Sequence, residues 1–262
     1  MMNSIMMNKD KSEIVKYYGI RVLAVAFWVM VWQIASKWLG QEILLASPAS
    51  VVKKLGELVL TAEFWQAVGF SFGRIVLGFL LALAAGAVLA VVSYRFTVAA
   101  ILFEPLITGI KSTPVASFII LCLIWIPSRN LSVFISFLMV LPVVYRNLLE
   151  GIRQTDRKLL EMAEVFGIGL GKRIGSIYLS QILPYLVSAC TIGLGLCWKA
   201  GVAAEVIGVP TGSIGEKLYH AKVYLNTPDL FAWTLVIIGI SFLFEKLFLR
   251  LLDRLVRFVE GR

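Results

Sequence analysis

The chain has 262 residues, 59% of them hydrophobic and only 16% charged, with a formal net charge of +9. Its mean hydropathy of +0.87 excludes an ordinary soluble domain, which has no way to hide that much apolar surface. In a membrane protein the placement of lysine and arginine carries more information than their sum, so the charge does not point to nucleic acid.

Apolar runs long enough to cross about 30 Å of hydrocarbon recur along the chain. They lie at 19–39, 68–93, 98–126 with a break at Pro114, 130–149, 183–208 and 230–250. The expectation is an all-helical integral membrane protein of six spans, with residues 1–18 as an amino-terminal tail and 19–262 as one transmembrane domain. The first run exceeds a signal-peptide core and has no convincing cleavage site, so it reads as a retained helix. With both termini in the cytoplasm, that side receives Lys9, Lys11, Lys16, Arg21 and Arg95, the cluster from Arg146 to Arg173, and the run from Lys246 to Arg262. The opposite side receives Lys37, Lys53, Lys54, Arg129, Lys217 and Lys222, as the positive-inside rule requires.

Between the first two runs, Ser47 and Pro48 open an amphipathic helix with Val51, Val52, Leu55, Leu58 and Val59 on one face. It is expected to lie along the membrane interface. In the second run Gly78, Ala82, Gly86 and Ala90 are spaced four apart, as are Ala189, Gly193, Cys197 and Gly201 in the fifth. Such residues let helices approach closely; the row drifts by about 40° per step, so only neighbouring members share a face. In the third run Pro114 removes a backbone hydrogen bond and, with Lys111, Ser112 and Thr113, marks a break that must face protein or water. It is a candidate wall of a translocation pathway.

The largest loop facing the cytoplasm contains "EMAEVFGIGLGKRIGSIYLSQILP" (161–184), whose glycines and lysine imitate a phosphate loop. The imitation fails, because Phe166 stands where the first glycine is needed and Arg173 where serine or threonine is needed. A dinucleotide fingerprint fails as well, at Lys172 or Ile174. What the stretch does offer is a helix capped by Thr155 or Asp156, with Leu159, Leu160, Ala163 and Phe166 at helical spacing and a stop at Gly167 and Gly169. Its other face carries Arg157, Lys158, Glu161 and Glu164. The segment is either an interfacial anchor or a knob that docks a partner.

Ionisable groups inside the runs are the remaining candidates, since a lysine near the bilayer centre costs roughly 2.5–3.5 kcal/mol. Lys199 is too deep for comfortable snorkelling and is expected to face the bundle interior. Glu205 lies about 240° round the same helix, so the two cannot pair within it. Arg74 is the expected partner of Glu205 in a structural salt bridge, whereas Lys111 and Lys199 have no obvious carboxylate at matching depth. Glu104 is the nearest for Lys111. An unpaired cation on a pathway favours an anionic solute. Trp198, beside Lys199, completes the candidate pathway set.

Other features point to no chemistry. Cys122, Cys190 and Cys197 sit in apolar runs and read as packing. His220, the only histidine, excludes a multi-histidine metal site. "SIGE" (213–216) is a capping box that opens a short helix in an external loop.

The order Glu161, any, Ala163, three residues, Gly167, nine residues, Ile177, any, Leu179 resembles the EAA loop of ABC importer permeases. Ser180 stands where that pattern has proline, which comes only at Pro184. "LASPASV" (45–51), "SFGRIVLGFLLALAAG" (71–86), "STPVASFIILCLIW" (112–125) and "WKAGVAAEVIG" (198–208) resemble segments of the nitrate/sulfonate/taurine type, while "WIPSRN" (125–130) departs from its usual turn. The resemblance implies a type I importer permease fold whose coupling helix, with Leu160, Glu161, Ala163, Glu164, Phe166 and Gly167, sits on an ATPase. It further implies a homodimer, two cytoplasmic ATPases that carry ATP and magnesium, and an external substrate-binding protein, with no cofactor and no enzymatic activity in this chain. The expected solute is a small anion such as a sulfonate, taurine or nitrate; the same machinery importing a thiamine- or riboflavin-related vitamin precursor is the alternative. An ion-coupled secondary transporter would show internal repeats or acidic residues in mid-membrane, and an intramembrane enzyme a base beside a nucleophile or metal; neither explains the loop.

Overall fold

The structure is a computed structural model that describes residues 11–260, all of whose regular elements are helical. Lys9 and Arg262, counted above among the cytoplasmic cations, lie outside the described residues. The chain divides into two units, one comprising the chain up to Leu60 with Ala221–Ala232, the other Thr61–His220 with Trp233 onwards.

In the first unit, α1 (Lys11–Leu39) begins inside the stretch expected to be a tail and is apolar all round from residue 19. Leu23 and Trp28 are about as exposed as Val22 and Val25; a helix apolar on every face belongs in lipid or against a partner. Helix α2 (Pro48–Val59) opens as anticipated, with Ser47 Oγ accepting the Ser50 N–H at 3.2 Å and Pro48 at the first position. Its inner face is Val51, Leu55 and Leu58, packed with Ala46, Trp32, Phe231 and Ala232. Val52 and Val59 are exposed instead. Trp32 Nε1 donates to the Ala46 carbonyl at 2.9 Å and Thr227 Oγ1 to that of Ile43 at 2.6 Å.

The second unit is built around α3 (Ala62–Arg95), α4 (Thr97–Ser112), α5 (Val115–Cys122) and α6 (Ser128–Arg153). It continues through α7 (Arg157–Val165), α8 (Leu170–Arg173), a π-helical turn (Ile174–Tyr178), α9 (Leu179–Gly208), α10 (Ile214–Val223) and most of α11 (Thr227–Glu260). Helix α6 lies between α3 and α9, and the small residues explain why all three fit. A Cβ on Gly86 would come within 2.7 Å of Val144 Cγ1 on α6, and one on Gly201 within 2.6 Å of Ser136 Oγ. Ser136 Oγ donates to the Cys197 carbonyl at 3.1 Å, and Tyr145 OH to Ser93 Oγ at 3.0 Å, so these polar groups are satisfied across the contact. Phe79, Ile75, Val140 and Leu194 fill the space between. Phe248 of α11 meets Phe79 edge-on at 5.2 Å.

By length and composition, four helices can cross a membrane: Gly19–Leu39, Ala62–Arg95, Ser128–Arg153 and Leu179–Gly208. The third expected span is not one straight helix. α4 and α5 meet at 104° and count as a fifth crossing only if the pair is one span. Pro114 causes the bend: it offers no N–H, and its ring forces Thr113 to extended backbone (φ −85°, ψ 133°). The sixth expected run lies inside α11, which is 34 residues long.

Candidate functional site

Two features concentrate the candidate residues, and the first is the loop helix α7. Asp156 caps it, its carboxylate accepting the Lys158 N–H at 2.8 Å, while Thr155 is buried and turns back to the Gly151 carbonyl. The helix ends in a left-handed Gly167 (φ 61°). The Ile168 N–H returns to the Ala163 carbonyl at 2.9 Å and the Gly167 N–H to that of Glu164 at 3.0 Å, a Schellman stop that only a residue at ease with positive φ completes without strain. Arg173 then clamps the turn, donating Nε to the Ile168 carbonyl at 2.7 Å and Nη2 to that of Ala163 at 3.3 Å. The Asp156 N–H donates to Gln181 Oε1 at 2.9 Å, fastening the start of the loop helix to the first turn of α9.

Ala163 is buried and Leu160 half-buried, which leaves Glu161 and Glu164 exposed beside an apolar tip. Val165 is 84% and Phe166 75% exposed. Apolar side chains held out in this way, on a helix fixed at both ends, are not packed on their own chain. The chain does not wait for Pro184 to resume helix: α8 starts at Leu170 and runs through the π turn into α9, with Pro184 inside the helix. The wide turn and the proline are both recognised sources of helix bending.

The second feature is a groove of about 530 Å³ bounded by α4, the start of α5, α6 and α9. Its polar lining is Lys111, Thr113, Arg146 and Asn147. Lys199 follows Ile192 and Leu196 on the same face of α9, one turn beyond the groove lining, and is exposed. It therefore stands on the surface of the chain and not, as expected, in the interior of the bundle, because Gly193, Cys197 and Gly201 take the close-packed side. Pro114 is exposed at the bend. Arg146 and Asn147 were not singled out in the sequence, where Arg146 counted only as a flanking cation. The available signal was helical spacing, since Met139, Val143 and Arg146 fall on one face of α6.

The remaining candidates are placed elsewhere. Trp198 is buried in the core against Phe72, with ring centroids 6.1 Å apart. Arg74 and Glu205 form no salt bridge. Arg74 donates Nη1 to the Arg129 carbonyl and to Asn130 Oδ1 and lies 4.3 Å over the Phe70 ring. Glu205 is fully buried; its Oε2 accepts from Ser71 Oγ at 2.6 Å and from the Gly215 N–H at 3.3 Å. Ser71 Oγ in turn accepts the Ile214 N–H at 2.9 Å. The carboxylate thus serves the free N–H groups at the start of α10, a short-range partner that displaces a distant arginine. Of the expected capping box the first half forms, Ser213 Oγ accepting the Glu216 N–H at 2.9 Å, while Glu216 Oε2 accepts the N–H of Gly212, one residue before the cap, at 2.6 Å. Glu104 pairs with Arg146 and not with Lys111. Among the described residues no group of histidine, cysteine and carboxylate side chains could hold a metal ion.

The family described as the binding-protein-dependent transport system inner membrane component matches residues 74–260. The chain belongs to that family. The match runs from within α3 to the end of α11, and so includes both the groove and the exposed tip of α7. This permease is 27% identical over 242 residues to the taurine transport system permease protein of Escherichia coli, covering 90% of this chain and 87% of that one. It is 26% identical over 235 residues to a Bacillus subtilis protein named for aliphatic sulfonates transport (89% and 84% covered) and 25% over 211 residues to the nitrate import permease protein of Synechococcus elongatus (76% and 75%). It is an ABC importer permease of the sulfonate/taurine/nitrate type, a multi-pass protein of the bacterial plasma membrane.

Proposed function

We propose that two copies of this permease form the translocation pathway for a small anionic solute, a sulfonate, taurine, nitrate or similar, with the groove on each copy as its wall. The observation that carries this reading is the charge of the groove: Lys111 and Arg146 line it, Lys199 stands one turn beyond, and no carboxylate is among its lining residues. A lining whose charges are all cationic lowers the barrier for an anion. The chain crosses the membrane six times with both termini inside, the bent α4–α5 pair and α11 supplying the third and sixth crossings.

The driving reaction sits on other chains. Two cytoplasmic ATPases, holding ATP and magnesium, receive the α7 knob; their closure moves α7, and the Asp156–Gln181 and Arg173 contacts pass that motion to α9. The pathway then opens outward to accept solute from an external binding protein, and hydrolysis resets it inward. Purification of the tagged permease in mild detergent tests the assembly. An ABC ATPase should accompany the wild type and be lost from Phe166→Asp and Glu161→Lys while both variants keep their melting temperature. Recovery of the wild type alone, under conditions that preserve other importers, would overturn the docking role.

A further inference from the structure

Arg146 lines two cavities at once. One is the groove of about 530 Å³; the other, of about 230 Å³ between α4 and α6, is bounded by Glu104, Tyr145, Glu150 and Arg153. The two differ in charge. The larger has Lys111 and Arg146 and no acid, whereas the smaller sets Glu104 and Glu150 against Arg146 and Arg153. The smaller also lies toward the end of α6 that leads to the α7 loop. Arg146 is held there only loosely: Nη2 donates to Thr108 Oγ1 at 3.1 Å and stands 4.0 Å from Glu104 Oε1, and both members of the pair are open to solvent. A solvated, single-contact pair of this kind contributes little stability and exchanges readily.

We propose that Arg146 is a specificity-determining relay for anions, exchanging the Glu104 carboxylate for the anionic group of the solute as it passes from the larger cavity to the smaller. The inference rests on the groove being the pathway. The planar fork of the guanidinium matches a sulfonate or carboxylate. In the larger cavity the only charged lining residues the anion meets are cations; beyond Arg146 it meets Glu104 and Glu150, which compete for the same guanidinium and favour release. Capture and release therefore follow from one residue placed between a cationic and a balanced compartment.

The test uses the full-length permease in native membrane vesicles with Val143→Cys as reporter, since Val143 lines the groove one turn from Arg146 and the native Cys122, Cys190 and Cys197 are all buried. Rates of modification are compared for a sulfonate-bearing methanethiosulfonate, its trimethylammonium counterpart and a neutral one. The sulfonate reagent should be preferred over the cationic one. Arg146→Gln should lower that preference by roughly threefold to tenfold, the scale of removing one nearby charge in partly screened water; Arg146→Lys should keep most of it, and Glu104→Gln should raise it. An unchanged preference in both Arg146→Gln and Glu104→Gln, with the neutral reagent still reacting, overturns the relay and leaves the pathway reading intact. Failure of all three reagents to reach Val143→Cys in the otherwise wild-type chain shows that the groove holds no water, and overturns the pathway reading and the relay together.

Discussion

Glu205 shows how much one side chain can be asked to do when it is wholly buried. Its carboxylate links α9 to Ser71 of α3 and to the start of α10, and a Cβ on Gly215 would collide with it. Its other oxygen is buried near the Ser132 hydroxyl. Removing the carboxyl strands the Ser71 hydroxyl and the Gly215 N–H, each worth about 1–3 kcal/mol when left unpaired and buried. Glu205→Ala should therefore lower the detergent melting temperature by several degrees. Glu205→Gln should recover most of the loss, because its carbonyl still accepts from Ser71 and its amide has Ser132 to donate to. Equal losses in the two variants would show that the charge, and not the hydrogen-bonding shape, is what the site requires.

At the scale of elements, the glycines of α3 and α9 act through distance. Gly201 admits Ile75 and Ser136 against its backbone, and Gly86 admits Val144; both contacts hold α6 in place. Gly201→Val should separate α9 from α6, break the Ser136–Cys197 hydrogen bond and cost about 1–3 kcal/mol, the usual range for overpacking, read as lower thermal stability and greater protease sensitivity in detergent. Gly195, also on α9, has nothing within 4 Å of the same hypothetical Cβ, so Gly195→Ala should be silent and controls for helix propensity. The four-residue spacing in the sequence announced close packing but not which helix would be met.

For the whole molecule, the exposed apolar surface of α1 and the one-sided groove are surfaces that the bilayer and the proposed second copy would cover. Native mass spectrometry of the purified transporter should give two permease copies for two ATPase copies. A stable complex with a single permease copy would leave the groove without its opposite wall and overturn the proposed pathway.

Sequence alone determined the class of the molecule, since hydropathy, run length and the distribution of lysine and arginine depend only on local composition and on the fixed thickness of a bilayer. It also determined the loop helix, because capping by Asp156 and termination at Gly167 are decided within a few residues of chain. Side-chain partnership was beyond its reach. Position along a span suggested Arg74 for Glu205, and Glu104 was the one acid near Lys111 though not at its depth; the fold gave Glu104 to Arg146 and gave Glu205 the nearby N–H groups of α10, because polar atoms removed from water are satisfied by whichever donor the packing brings within about 3 Å. Lys199 was read inward for the same reason. Which face of a membrane helix is buried depends on the small residues of its neighbours, and those neighbours are chosen only by the tertiary structure.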